Sequence, residues 1–223
     1  MKHAFLAVAA RASGGKVAAL ATALVVAGCA GPKTTEHFYA LTDGGVVLSA
    51  PATAGADPAR VLPGVLISAV TVPELVDRPQ IVTRDSQNRV NVAEQNLWAE
   101  PLRSGVSRII ASRLARTMQG AGKLVEVAAY PQSSITKPYV RVTIDLVRFD
   151  AIPNGEAVVD ALWSIRRVEE NDVRTGRTVV AVPISGDGYE AIVAAWNDAL
   201  VSVERDIGRS LVSIPLPTKS AVR

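Results

Sequence analysis

Few side chains in this 223-residue sequence have the chemistry to make or break bonds. There is one cysteine, Cys29, and two histidines, His3 and His37. A lone thiol forms neither an internal disulfide nor a cysteine-rich zinc site. Two histidines exclude most histidine-based triads and metal centres. The serines lack a nucleophile elbow. Gly105-Val106-Ser107 runs on into Arg108-Ile109, and Gly208-Arg209-Ser210 into Leu211-Val212, so neither completes Gly-x-Ser-x-Gly. Phosphate-loop, His-Glu-x-x-His and Cys-x-x-Cys patterns are absent from the sequence. Asp77 with Glu74 or Glu100 has the right groups for acid–base work, but the spacing marks nothing beyond surface charge. The sequence therefore predicts no catalytic residues, no metal, no cofactor and no enzyme.

Cys29 remains, and its position gives it a chemistry. Residues 1–16 are basic and carry no acid. Val17 to Ala27 is then an apolar run, shorter than the ~20 residues that cross a bilayer as a helix. A basic segment before a short apolar one is the pattern of an export signal. The run ends in Val26-Ala27-Gly28-Cys29, where small residues fit a signal-peptidase groove and leave a thiol to be acylated. This resembles the bacterial lipoprotein signal, or lipobox. The resemblance implies a signal peptide over 1–28 and a mature chain that starts at a lipidated Cys29. The alternative is a buried structural cysteine within a plain secretory signal. Each buried CH₂ of an acyl chain contributes roughly 0.8 kcal/mol, so several chains anchor a protein for good. Ala30, rather than Asp, follows the cysteine. By resemblance to lipoprotein sorting, that implies the outer membrane of a Gram-negative bacterium, with the body in the periplasm.

The charge balance depends on that leader. The chain has 24 Lys and Arg against 21 Asp and Glu, formally +3. Lys2, Arg11 and Lys16 all precede Cys29, which leaves the mature chain near zero. Overall charge therefore gives no ground for nucleic-acid binding. Aromatics are 4% of residues, so the core must be mainly aliphatic.

Residues 29–36 are expected to be a tether, 37–214 one domain, and 215–223 a tail. The first strand is expected at His37 to Leu41. A Gly-, Ala- and Pro-rich loop follows over 43–60. The β-branched run Val65 to Val72 ends at Pro73. Gln80 to Arg84 and Arg89 to Val92 flank the polar turn Asp85 to Asn88 and predict a hairpin. From Pro101 onwards, Leu102, Val106, Ile109, Ile110, Leu114 and Met118 recur at helical spacing. Arg103, Arg108, Arg113 and Arg116 fill the other face, read as solvated, with lipid-phosphate binding as the alternative. Gly120 and Gly122 stop this helix.

Lys123 to Val127 is a short strand. Tyr139 to Phe149 alternates, as does Val159 to Ile165. Asp172 to Gly176 is expected to turn, and Arg177 to Val182 to return. The odd positions of Tyr139 to Phe149, near Trp163, are a candidate lipid-contacting surface, with core packing as the alternative. A last helix starts near Asp187, with Glu190 three residues on as a capping box. Its stripe runs from Tyr189 through Trp196 to Leu211. The order β-β-β-β-α-β-β-β-β-α predicts an α+β fold, a mainly antiparallel sheet with two amphipathic helices packed on one face.

Two segments go beyond pattern: Val72-Pro73-Glu74-Leu75-Val76-Asp77-Arg78-Pro79-Gln80-Ile81-Val82 and Leu97-Trp98-Ala99-Glu100-Pro101-Leu102. With the lipobox, Phe38-Tyr39-Ala40-Leu41 and the terminal helix, they resemble the ABC-type transport auxiliary lipoprotein family, the PqiC-like proteins. The resemblance spans essentially the whole mature chain. It implies an outer-membrane-anchored auxiliary component of an intermembrane lipid transport system. Its partner would be an MCE-domain protein, a periplasmic lipid conduit. The anchor would contact outer-membrane lipid, and a homo-oligomer stays open. Asp77, Arg78, Pro79 and Gln80 are candidates for partner docking, or for a structural turn in which Asp77 pairs with Arg78. Trp98, Glu100 and Pro101 are likewise candidates for docking, or for packing at a helix start. The competing function is a stand-alone periplasmic lipid- or peptide-binding lipoprotein with a cleft between helix and sheet.

Overall fold

The computed structural model describes residues 35–43, 64–123, 125–131, 135, 139–170 and 172–215. Cys29, the leader, most of the tether, the loop over 44–63 and the tail beyond Pro215 lie outside the described residues. Everything below concerns the body from Glu36 onwards.

Ten elements follow in the predicted order. They are β1 (His37–Tyr39), β2 (Gly64–Thr71), β3 (Gln80–Arg84), β4 (Val90–Trp98), α1 (Leu102–Gly120), β5 (Glu126–Ala129), β6 (Val140–Ala151), β7 (Glu156–Arg167), β8 (Val173–Pro183) and α2 (Gly188–Val212). The fold is α+β. The strands form a three-stranded sheet, β1-β4-β3, and a five-stranded sheet, β5-β2-β6-β7-β8. Both are mixed, where the sequence predicted a mainly antiparallel sheet. β2 runs parallel to both neighbours, and β1 is parallel to β4. Side-chain alternation reports which face a residue takes, and is silent on strand direction.

α1 packs against β2 and β5, and α2 against β7 and β8. The apolar stripes foreseen for both helices are the buried ones. α1 closes in a glycine-type cap. Gly122 takes φ +70°, and Lys123 N–H reaches back to the Met118 carbonyl at 2.9 Å. Asp187 sits at the start of α2, but its side chain makes no capping hydrogen bond, so the expected capping box is not formed.

β8 begins at Val173, four residues before the expected return strand. The turn lies before it, and Gly176 is inside the strand, opposite Trp163. A Cβ at Gly176 would lie 2.1 Å from the Trp163 ring. This glycine makes room for an indole crossing the strand and breaks nothing.

The scarce aromatics gather where the two sheets meet α2. Trp196 stacks on Phe149 of β6 with centroids 4.6 Å apart, and tilts against Trp98 of β4 at 5.7 Å. Its Nε1–H donates to the Asp150 carbonyl at 3.1 Å, so the buried donor is satisfied. Three elements distant in sequence are thus fastened at one point.

Candidate functional site

The five-stranded sheet has one covered face and one open face. Across β6, β7 and β8, the strand registers place Thr143, Ser164 and Thr175 in one open-face row, and Asp145, Leu162 and Arg177 in the next. Ala69 and Thr71 of β2 extend those rows. Together they line a shallow concavity of about 730 Å³. Thr143 and Ser164 share a hydroxyl hydrogen bond of 2.7 Å, and Thr71 donates to Asp145. Arg177 forks onto Asp160, Nε to Oδ1 at 2.9 Å and Nη2 to Oδ2 at 2.6 Å. That hydrogen bonding holds the Asp160 carboxyl below the usual carboxylate range, against the opposing effect of its burial. Leu162 and Val179 stand exposed at 43% and 62%. Of the odd positions of β6, Arg141, Thr143, Asp145 and Val147 are exposed on this surface, whereas Phe149, beyond the register shift after Leu146, is buried in the core. Trp163 instead faces the helices, where its Nε1–H donates to Thr178, whose hydroxyl donates to Asp206 of α2. Chemically, the open face offers hydroxyls, an engaged ion pair and apolar contact area. Among the described residues, no three His, Cys, Asp or Glu side chains converge as a metal-ligand set.

A second feature was only half visible in the sequence. Arg103, Arg108 and Arg116 of α1 are exposed, as a solvated face requires, but Arg113 is buried, and three of the four reach back to the chain after β1. Arg108 Nη2 donates to the Leu41 carbonyl at 2.9 Å, Arg113 Nη2 to Thr42 at 2.9 Å and Arg116 Nη2 to Asp43 at 3.2 Å. Arg116 and Ser112 also hold the Asp43 carboxylate at 2.8 Å. Asn197 of α2 accepts from the Thr42 amide at 3.0 Å. Three consecutive residues after β1 are therefore held by α1, and the middle one, Thr42, by α2 as well. Arg113 is the buried member, and it also donates to the Asn197 carbonyl at 3.1 Å. Burial lowers its pKa from the ordinary guanidinium value, with Glu204 the main opposing influence. Arginines at spacings of five and three along one helix were legible. Their targets, some seventy residues earlier in the chain, were not.

The residues singled out in the sequence lie at a turn, a strand start and a helix start, with Arg78 and Pro79 exposed. Asp77 closes a turn in which its amide bonds to the Pro73 carbonyl at 3.1 Å. Its carboxylate pairs with Arg103 of α1 rather than with Arg78. Pro79 accepts from the Trp98 amide at 2.7 Å, and Gln80 opens β3 opposite Leu97. Trp98 is buried in the aromatic knot. Glu100 pairs with Arg108 and so joins the clamp. Pro101 stands just before α1, and its carbonyl accepts from Ser104 and Gly105. The structure thus joins the two motifs to the α1 arginines, but does not bring them to the open face. Among the described residues, no helix is long and apolar enough to cross a membrane.

Comparison with known proteins agrees with this arrangement. The family model described as ABC-type transport auxiliary lipoprotein component matches residues 47–208. The chain belongs to that family. It is 25% identical over 191 residues to the intermembrane transport lipoprotein PqiC of Escherichia coli K12, covering 84% of this chain and 94% of the relative. The PqiC of Shigella flexneri matches to the same extent. Among solved structures, an uncharacterized protein superposes with a TM-score of 0.61 at 16% identity, covering 79% of this chain and 99% of the other. A Xanthomonas campestris protein gives 0.54 at 19% identity, covering 68% and 84%. These two show a shared fold.

Proposed function

We propose that this chain is a non-catalytic auxiliary component of an MCE-type intermembrane lipid transport system, held in the outer membrane by acyl chains on Cys29 and facing the periplasm. The body acts as a docking scaffold at the outer-membrane end of a lipid conduit. The energy for transport comes from another subunit, since the sequence carries no nucleotide motif.

One observation favours the scaffold over a lipid-carrying pocket: the helix–sheet interface is closed. Ile67, Val142, Ile144 and Leu146 on the sheet, and Ile109, Leu114, Leu200 and Val203 on the helices, are each no more than 2% exposed. Interiors packed to that density have no room for an acyl chain. The concavity described above lies on the opposite, open face. The clamp at residues 41–43 supports the same reading, because it fixes the segment that leads back to Cys29 onto both helices. A symmetric conduit would match a ring of copies, which is the sense in which a homo-oligomer enters the proposal.

The test is mild-detergent affinity purification of the lipidated full chain from its own envelope. Recovery of an MCE-domain protein is the expected result. A lipid copurifying in stoichiometric amount, without any MCE protein, would replace this reading with the stand-alone carrier.

A further inference from the structure

β8 forms one edge of the five-stranded sheet, and that edge is unguarded. The ladder's phase follows from its two ends. Arg167 N–H donates to the Asp172 carbonyl, and Ile184 N–H to Gly155, both at 2.9 Å. Stepping by two between these points, the even-numbered residues of β8 bond to β7. The N–H and C=O groups of Val173, Thr175, Arg177, Val179 and Ala181 therefore point to the free rim, and all five residues are exposed. Among the described residues, none bonds to these outward groups. Sheet edges are ordinarily protected by lysine, proline, a bulge or short length. From Val173 to Val182, β8 has no lysine, acid or proline, and it pairs with β7 without a register shift; its one proline, Pro183, stands at the very end of the strand and leaves the five rim positions before it open. Arg177 does not screen the rim, because Asp160 holds it along the face.

The open face beside this edge carries an unbalanced charge. Arg141 and Arg166 are direct cross-strand partners, and Val173 is next in their row. Like charges in that relation destabilise a sheet. Arg148, Arg167, Arg174 and Arg177 of the same three strands all have acidic partners. Among the described residues, Arg141 and Arg166 have none. Further along the face stand the exposed Leu162 and Val179.

The geometry points to β8 as the place where an extended segment of a partner protein adds a sixth strand, setting a carboxylate on Arg141 and Arg166 and an apolar side chain on Leu162 and Val179. Strands lie ~4.8 Å apart, so a residue opposite Val173 is about 10 Å from Arg166. A glutamate and an arginine close that span between them. A second copy fits less well. Full-length antiparallel pairing of two β8 strands sets the copy's Pro183 opposite Val173. The one acid in that row is then Glu156, about 14 Å from Arg166. A lipid headgroup would answer the arginines and leave the rim amides unpaired. Strand addition meets both needs. The inference goes beyond the transport reading above and does not rest on it.

The test uses the full lipidated chain in detergent and a synthetic probe, a peptide of about ten residues alternating valine and threonine with a glutamate near one end. Residue-resolved amide hydrogen exchange and the anisotropy of labelled peptide are read together. Exchange at Val173, Thr175, Arg177, Val179 and Ala181 should slow on binding, with α2 unchanged. The R141E/R166E double variant should weaken binding about tenfold or more. Thr175→Pro removes one outward N–H without touching the β7 ladder, and should also weaken it. Unchanged α2 exchange in each variant verifies folding. Equal binding by a peptide N-methylated at alternate residues would overturn the proposal, as would equal binding with lysine in place of glutamate, or no slowing at saturation. Slowing of the same amides by higher protein concentration alone would assign the edge to a second copy. Slowing by phosphatidylglycerol vesicles alone would assign it to a membrane, and either result defeats the proposal.

Discussion

On the helix side of the five-stranded sheet, Val140, Val142, Ile144 and Leu146 of β6 are buried. On the other side, Arg141, Thr143, Asp145 and Val147 of the same strand are exposed. One strand therefore supplies both a core and a surface, and the two halves of its alternation answer to different demands. Packing governs the covered half, where a lost methylene leaves a void. Solvent governs the open half, where substitutions cost little stability and are free to serve a partner. Stability and recognition are thereby separable in this molecule, and substitutions that strike one face or the other test the separation.

The largest effect is expected at the aromatic knot. Trp196→Ala removes the stack on Phe149, the contact with Trp98 and the bond to the Asp150 carbonyl. A loss of about 3–5 kcal/mol in urea unfolding is expected. A loss under about 1 kcal/mol would mean that the two sheets are fastened elsewhere. Gly176→Ala comes next. Its new methyl meets the Trp163 ring, and overpacking of this kind costs about 1–3 kcal/mol. Combining it with Trp163→Ala should relieve part of that cost, which a double-mutant cycle would register as non-additivity.

Arg113→Met tests the clamp. It frees the Thr42 and Asn197 carbonyls, both otherwise bonded by the guanidinium. A loss of about 1–3 kcal/mol is expected, with faster amide exchange concentrated at residues 41–43. Uniformly faster exchange across the body would show that Arg113 supports the core in general. Asp160→Asn on the open face should have the smallest effect, under about 1 kcal/mol at neutral pH, because Arg177 is largely solvated. Its signature is in the pH dependence. The Asp160 pKa is lowered in the fold by Arg177. The pair therefore stabilises the fold above the ordinary Asp range, near ~3.9, and that contribution fades as pH falls through the lowered value. The acid limb of the stability curve should be flatter in the asparagine variant.

Much of this arrangement is legible in the amino-acid order alone. Runs and periodicity reveal the elements, because burial imposes period two on β6 and a three-to-four spacing on α1, but β4 continues to Trp98 past its expected end at Val92, and β5 starts at Glu126 rather than Lys123. Parallel pairing around β2 is not legible, since alternation carries no direction. Gly176 misleads because a glycine that accommodates an indole has the same letter as one that turns a chain. Arg113 misleads for a related reason. A charged helical face is most simply read as solvated, and nothing local announces carbonyls brought in from the other end of the chain. The Asp77 and Trp98 motifs are visible as motifs, but their service to the α1 start depends on Arg103 and on Trp196. The open face is the hardest to foresee. Its unsatisfied rim and its uncompensated Arg141 and Arg166 exist only once the strands are in register.

A covalent lipid at Cys29 is central to the proposed role, because only an anchored body can serve as a fixed point at the far membrane. Labelled palmitate should enter the wild-type chain, which should then sediment with the outer membrane on a density gradient. The Cys29→Ser variant should take up no label and leave that fraction. A serine variant that still sediments with the outer membrane, or a wild-type chain without label, would contradict that role.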